Sequence, residues 1–399
     1  MTAESGRWPL SRLDVAGAFG DVGVLFPLAI ALISLNQMNP TAVFLAAGLA
    51  YILAGAYFQV PIPVQPLKAV AAIALALHLS PSTIASAGLL MGVLLTLIAI
   101  TNLAPLLARL FTLPIIRGIQ LGLGLLLARE GLRLAFGIRA GQALWSSISS
   151  ATLLIGLGAA AILLLFRKSQ RYPAALVLLG AGVIVGLAAH WRALPALALG
   201  PLPVAFLHPQ MTELKLAFFT LVVPQFALTF GNAIVATENT AQILYGPQAR
   251  RVTTRALSLS IGLMNLASGM FLAAPMCHGS GGVTAHYRFG ARTAKSCYVI
   301  GSVCLLLALF GRSAIGLLRL IPTAVLGVFL IYVGIQHGMF VRDVVKNRVS
   351  LFIAASIGVV ALATTNLTWG FLVGFVLQGL LLAFSKMRAR RRGPPVHPL

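Results

Sequence analysis

The sequence predicts an all-α polytopic membrane protein of about 14 elements, built as two seven-span repeats of opposite orientation. Three observations predict it. Of 399 residues, 59% are hydrophobic and only 9% charged, with a mean hydropathy of +0.96, far outside the composition of soluble domains. Apolar stretches close to the ~20 residues that cross a ~30 Å hydrocarbon core recur almost from end to end. The landmarks of the first half also return, in order, in the second.

Taken in order, spans are expected near 15–35, 41–59, a short one at 64–78, 82–103, 114–135, 148–166 and 173–191. The second half offers 215–237, 253–273, a short one at 279–288, 294–310, 317–337, 350–364 and 367–385. The first 16 residues carry Glu4, Arg7, Arg12 and Asp14 and lead into a span that itself holds Asp21, which reads as a retained N-terminus rather than a cleaved signal. That short, transit-free start suits a bacterial inner membrane. With the N-terminus inside, 21 Lys and Arg fall in cytoplasmic segments and seven in outer ones, the asymmetry of the positive-inside rule. Both termini are then cytoplasmic, and Lys68 alone is left in the membrane interior. The net charge of +22 thus reports topology. No soluble basic domain exists to bind nucleic acid. Cys277, Cys297 and Cys304 match neither a metal site nor a disulfide framework and read as reduced and structural.

The repeat is carried by "AFGDVG" (18–23) with "TFGNAI" (229–234), and by "LAYILAGAYFQVPIPVQP" (49–66) with "LMNLASGMFLAAPMCHGS" (263–280). Phe19-Gly20 and Phe230-Gly231 are 211 apart, while Gly55 and Gly269, like Pro61 and Pro275, are 214 apart. The expected organisation is a first repeat over 1–200, a second over 210–388 and a basic cytoplasmic tail at 389–399. Seven is odd, so the second repeat sits upside down relative to the first, and paired interruptions in inverted repeats mark a transporter's substrate site.

Pro61, Pro63 and Pro66 forbid continuous helix, so the third span begins as a half-helix at mid-membrane with its first amides pointing inward. Pro275 and "HGSGGVT" (278–284) do the same in the second half, with glycines that allow close backbone approach to a ligand. Each N-terminus carries about half a positive charge and Lys68 adds roughly one, giving about +2, which suits a dianion. Irregular backbone at this depth survives only if buried or lining a cavity.

The stretches "FGDVGVLFPLAIAL", "PIPVQPLKAVAAIA", "LPIIRGIQLGLGLLL", "VPQFALTFGNAIVAT" and "APMCHGSGGVTAHYRFGART", in one register over about 11–385, resemble the molybdate transporter family, relatives of the sulfate permeases. The resemblance implies a molybdate transporter, with sulfate as a related oxyanion, on a seven-plus-seven inverted fold with core and gate domains. The large C-terminal regulatory domain of the sulfate permeases is not expected here.

Gln65 and Lys68 are the candidates to hold one side of the tetrahedral anion. Cys277, His278, Gly279, Ser280, Gly281 and Gly282 are candidates for the other, through backbone amides and the Ser280 hydroxyl. Gln225, seven residues before Asn232 and on nearly the same helical face, is expected to donate to the anion, or else to bond a neighbouring helix. Acidic groups at membrane depth are few, and Asp21 and Glu238 are the candidates for proton coupling, Glu238 closer to the interface. Asp21 has two readings, protonation that accompanies the oxyanion or a permanent bond to Lys68 or a helix start. Arg117 is read as a headgroup anchor in preference to a gate. His278 and His286 are eight apart, which fits no helical metal pair, and no Walker, zinc or Ser-His-Asp motif occurs, so no metal, cofactor or enzymatic activity is expected. The partners are molybdate or a similar oxyanion and the bilayer. Residues alone do not rank molybdate above sulfate. An anion channel is the rival from another class, and a nucleobase carrier would place carboxylates at the breaks.

Overall fold

The computed structural model describes residues 10–20, 22–108, 112–137, 150–166, 174–192 and 198–391. Helices α1 (Arg12–Ala18) and α2 (Val22–Leu35) lead to α3 (Pro40–Phe58), which Asn39 caps and Pro40 opens, where no amide partner is needed. A left-handed Gln59 (φ 61°) ends α3. After the prolines come a two-residue strand β1 (Gln65–Pro66) and the ten-residue α4 (Lys68–Leu77). Next are α5 (Pro81–Ile100), capped by Ser80, the short α6 (Ala104–Ala108), α7 (Leu113–Ala135), α8 (Ser150–Phe166) and α9 (Ala174–Ala189).

The second half opens with α10 (Met211–Ala217), α11 (Val223–Leu228) and α12 (Ala236–Tyr245), joined into one rod by π-helical turns at Phe218–Val222 and Thr229–Val235. A 3-10 turn (Gly246–Arg251) leads to α13 (Thr254–Met270), strand β2 (Met276–Cys277) and the nine-residue α14 (Ser280–Arg288). Then follow α15 (Lys295–Leu309), α16 (Gly311–Arg319), α17 (Thr323–Gly338), α18 (Arg348–Thr364) and α19 (Leu367–Arg391).

Three sequence expectations change. The eighth span is the π-interrupted rod rather than a plain helix over 215–237. The twelfth starts at Thr323, because Pro322 separates it from α16, itself bent 79° from α15. The basic tail expected from 389 begins as the last turn of α19. Among the described residues, five helices are long and apolar enough to cross a membrane, or six if α15 and α16 make one span. Half-helices such as α4, at about 1.5 Å per residue, reach only half of a ~30 Å core.

The halves interlock. α3 packs on α15 and α5 on α13, while α7 packs on α17 and α18, and α8 on α17. Exchange α3 with α13, α5 with α15, α7 with α17 and α8 with α18, and this set of pairs maps onto itself. Small residues set the closest approach, as in membrane helix pairs generally. A Cβ on Gly124 would lie 2.5 Å from the Gly334 carbonyl oxygen, and one on Gly131 2.5 Å from that of Gly327. The Gly131→Leu variant is therefore expected to destabilise the fold by roughly 1–3 kcal/mol. Gly158→Leu, where a Cβ meets nothing within 4 Å, should leave the melting temperature of the detergent-solubilised protein unchanged. Equal melting of the two variants would refute the α7–α17 contact.

Candidate functional site

The two breaks meet. Gln65 pairs with Cys277 and Pro66 with Met276 in an antiparallel ladder, and the Leu67 amide donates to the Pro275 carbonyl at 2.8 Å. Residues 61–67 are all buried, so each backbone polar group here needs a partner inside the protein. Side chains from two long helices supply them. Cys297 Sγ, on α15, accepts from the Ile62 amide at 3.4 Å and donates to the Ile62 carbonyl at 3.4 Å. Asn265, on α13, does the same for Met276, with Oδ1 accepting from its amide at 3.0 Å and Nδ2 donating to its carbonyl at 2.6 Å. Ile62 and Met276 stand 214 apart, so equivalent backbone positions are held by different chemistry. His278 ties the breaks once more. A carbonyl can only accept, so Nδ1 donates to the Pro63 oxygen at 2.8 Å, and Nε2 bonds Ser260 Oγ at 2.9 Å.

The crossing brings Gln65, Lys68, Gly279 and Ser280 together. A Cβ built on Gly279 would lie 3.6 Å from Gln65 Oε1 and 3.7 Å from Lys68 Nζ. One on Gly282 would lie 2.6 Å from both Gln65 Nε2 and Pro63 Cβ, so the start of α14 needs glycine there to accept the Gln65 side chain. Gly281 is exposed, with nothing within 4 Å of its Cβ position, and leaves the α14 terminus open on one side. Lys68 is half-buried at the first turn of α4. On α17 the buried His337 places Nδ1 on the Val333 carbonyl at 3.0 Å.

Other candidates are placed differently. Gln225 is not aimed at the gap as a donor. Its Oε1 accepts from the Ala69 and Val70 amides at 2.8 and 3.2 Å, and its Nε2 donates to Thr229 Oγ1, so it caps the half-helix α4. The Ser280 hydroxyl donates to Asn232 Oδ1 at 2.9 Å, which spends its proton. Cys277 lies buried in the ladder and His278 beneath it. Glu238 bonds Thr254 and Gln242, while Asp21 lies outside the described residues. Arg117 pairs with Asp343 at 2.6 Å, bonds Gln120 at 2.8 Å and lies over the Phe340 ring. His286 is buried against Tyr51, and no cluster of metal-ligating residues occurs among the described residues. Reading the chain alone missed Ser260, Asn265 and His337. A buried polar residue within the otherwise apolar "LMNLASG" was the available signal for Asn265.

The chain is similar to known proteins in sequence and in fold. The chain is 28% identical to molybdate transporter 2 of Arabidopsis thaliana, over 94% of this chain and 88% of that one. It is 28% identical to molybdate transporter 1 of Chlamydomonas reinhardtii, over 96% and 94%. In structure it resembles the transmembrane domain of the cyanobacterial bicarbonate transporter BicA, with a TM-score of 0.69 at 18% identity over 92% of this chain and 96% of that one. It also resembles the murine anion transporter Slc26a9 in its inward-facing state, with a TM-score of 0.69 at 15% identity over 95% and 70%. These likenesses show the fold, an all-helical inverted-repeat architecture. The family model described as molybdate transporter of the MFS superfamily matches residues 14–127 and 217–336, more than half of the sequence, and the chain belongs to that family.

Proposed function

We propose that this chain is a secondary active transporter that takes up molybdate, holding the dianion between Lys68 and the amino end of α14 while one bundle of helices rocks against the other. The observation that carries the reading is the meeting of two broken spans with the Lys68 ammonium beside Gly279. Two half-helix dipoles and one lysine supply about +2, which a tetrahedral dianion neutralises. Relatives named as molybdate transporters and neighbours named for bicarbonate and anion transport support an anionic substrate. Gly279 and Gly281 supply the close backbone approach, and Gln65 lies against Gly279. In this reading Asp21 takes a proton as the oxyanion binds, and both termini face the cytoplasm of a plasma membrane.

Uptake of radiolabelled molybdate into proteoliposomes, with sulfate as competitor and an imposed pH gradient, tests the whole reading. Saturable molybdate uptake is expected, and uptake of sulfate alone, or flux that never saturates, would refute the substrate or the carrier mechanism. Lys68→Ala should abolish uptake while inserting normally. Gln225→Glu keeps an oxygen for the Ala69 and Val70 amides but adds a negative charge near Lys68. It should raise the KM for molybdate about tenfold, the effect of ~1.4 kcal/mol of repulsion, in protein that still inserts and folds. An unchanged KM would place the anion elsewhere. Asp21→Asn should flatten the dependence of uptake on the pH gradient, and full dependence in that variant would remove Asp21 from coupling.

A further inference from the structure

Helices α3 and α13 enclose, on the outer face of the protein, an apolar groove of about 670 Å³. Its walls obey the repeat residue for residue. Every α3 position in the lining has its mate 214 positions on in the α13 lining, as Ala46 with Ser260, Leu49 with Leu263 and Tyr57 with Phe271. Two inverted copies of one helix thus form a cleft with its own two-fold symmetry, and at 1.5 Å per residue it runs roughly 22 Å of a ~30 Å hydrocarbon core.

The symmetry ends at the mouths. At the Tyr57 end, the exposed Arg251 donates to the Tyr57 carbonyl at 3.0 Å, and the exposed Arg255 immediately precedes Ala256 of the wall, its Nε on the Ala99 carbonyl. Neither guanidinium is spent by one such bond. At the other end Val204 covers the cleft and Phe206 packs on Phe271, in a segment, 198–210, without lysine or arginine. Arg312 alongside is turned onto the Pro201 carbonyl. A cleft that is apolar along its length and cationic at one mouth matches one molecule of the bilayer, a phospholipid.

We propose that the α3–α13 groove is a binding site for an anionic membrane phospholipid, with an acyl chain between the helices and the phosphate at Arg251 and Arg255. Its wall touches the transport machinery. Ser260 Oγ lines the groove and also bonds His278, whose other nitrogen holds the Pro63 carbonyl at the crossing. Ala46, the mate of Ser260, offers no such hydroxyl, so the connection runs through α13 alone. A seated acyl chain keeps detergent and water from this hydrogen-bonded chain and supports the crossing whatever the substrate proves to be.

Native mass spectrometry of the full-length protein, with a phosphatidylglycerol and phosphatidylcholine of equal chain length, tests this. The wild type should retain phosphatidylglycerol in preference, roughly tenfold. Ala46→Phe, which fills the groove, should lose the bound lipid. Arg251→Gln with Arg255→Gln should erase the preference but keep a lipid. The wild-type preference needs no variant, so a misfolded Ala46→Phe protein leaves the test intact. Retention of both lipids equally by the wild type, undiminished lipid in folded Ala46→Phe protein, or cross-links showing a second copy of the chain in the groove would each overturn the proposal.

Discussion

Everything at the centre of this protein follows from one constraint: non-helical backbone inside a membrane must find its hydrogen-bond partners within the protein. Residues 61–66 and 275–278 lie outside any helix, where Pro61, Pro63, Pro66 and Pro275 lack an amide proton and disfavour helix in the residue before them. An unsatisfied buried peptide group costs about 1–3 kcal/mol, so leaving several of them bare would consume much of a domain's stability. The two breaks therefore satisfy each other through the β1–β2 ladder, and Asn265, Cys297 and His278 take the Met276, Ile62 and Pro63 groups. Each break stabilises the other.

That mutual arrangement fixes the electrostatics, and it is less symmetric than the repeat. On the α4 side the Ala69 and Val70 amides are already occupied by Gln225. What α4 offers beyond its dipole is the Lys68 side chain. On the α14 side, glycines leave backbone open, with Gly281 exposed. An anion in the gap would then meet a mobile ammonium on one side and fixed peptide groups on the other. The first is strong and adaptable, and the second is rigid and selective for shape.

The prolines, the 211 and 214 offsets and the isolated Lys68 are backbone and composition signals, and they were legible because chain breaks and charges show in a sequence without knowledge of neighbours. Gln225 was not. Its seven-residue spacing from Asn232 implies one helical face at 3.6 residues per turn, but the π-helical turn at Thr229–Val235 shifts the phase between them. Gln225 consequently reaches α4 while Asn232 reaches Ser280 on α14. Asn265 and Cys297 were hidden for a different reason. Nothing in the chain says that α13 and α15 flank the breaks, and an Asn or Cys in an apolar helix has many uses until its neighbour is known. The ion pair of Arg117 was hidden in the same way, since its partner Asp343 lies 226 positions later.

Duplication followed by inversion would by default build a site with two of everything, and packing prevents it. The mate of Lys68, 214 positions on, is Gly282, and the space where its side chain would start is filled by Gln65 and Pro63 at 2.6 Å. A second lysine could enter only by expelling Gln65 from the crossing. The mate of Gln65 is Gly279, whose Cβ position lies 3.6 Å from Gln65 itself, so the two halves fit because one carries side chains where the other carries none. One lysine and two helix ends give about +2, whereas a symmetric pair of lysines would give about +3. With the excess, a dianion would leave a buried net charge behind in the low-dielectric interior, where uncompensated charge is costly. In the proposed site the glycines of α14 would serve two ends at once, opening backbone to the ligand and holding the charge to what a doubly charged oxyanion can cancel.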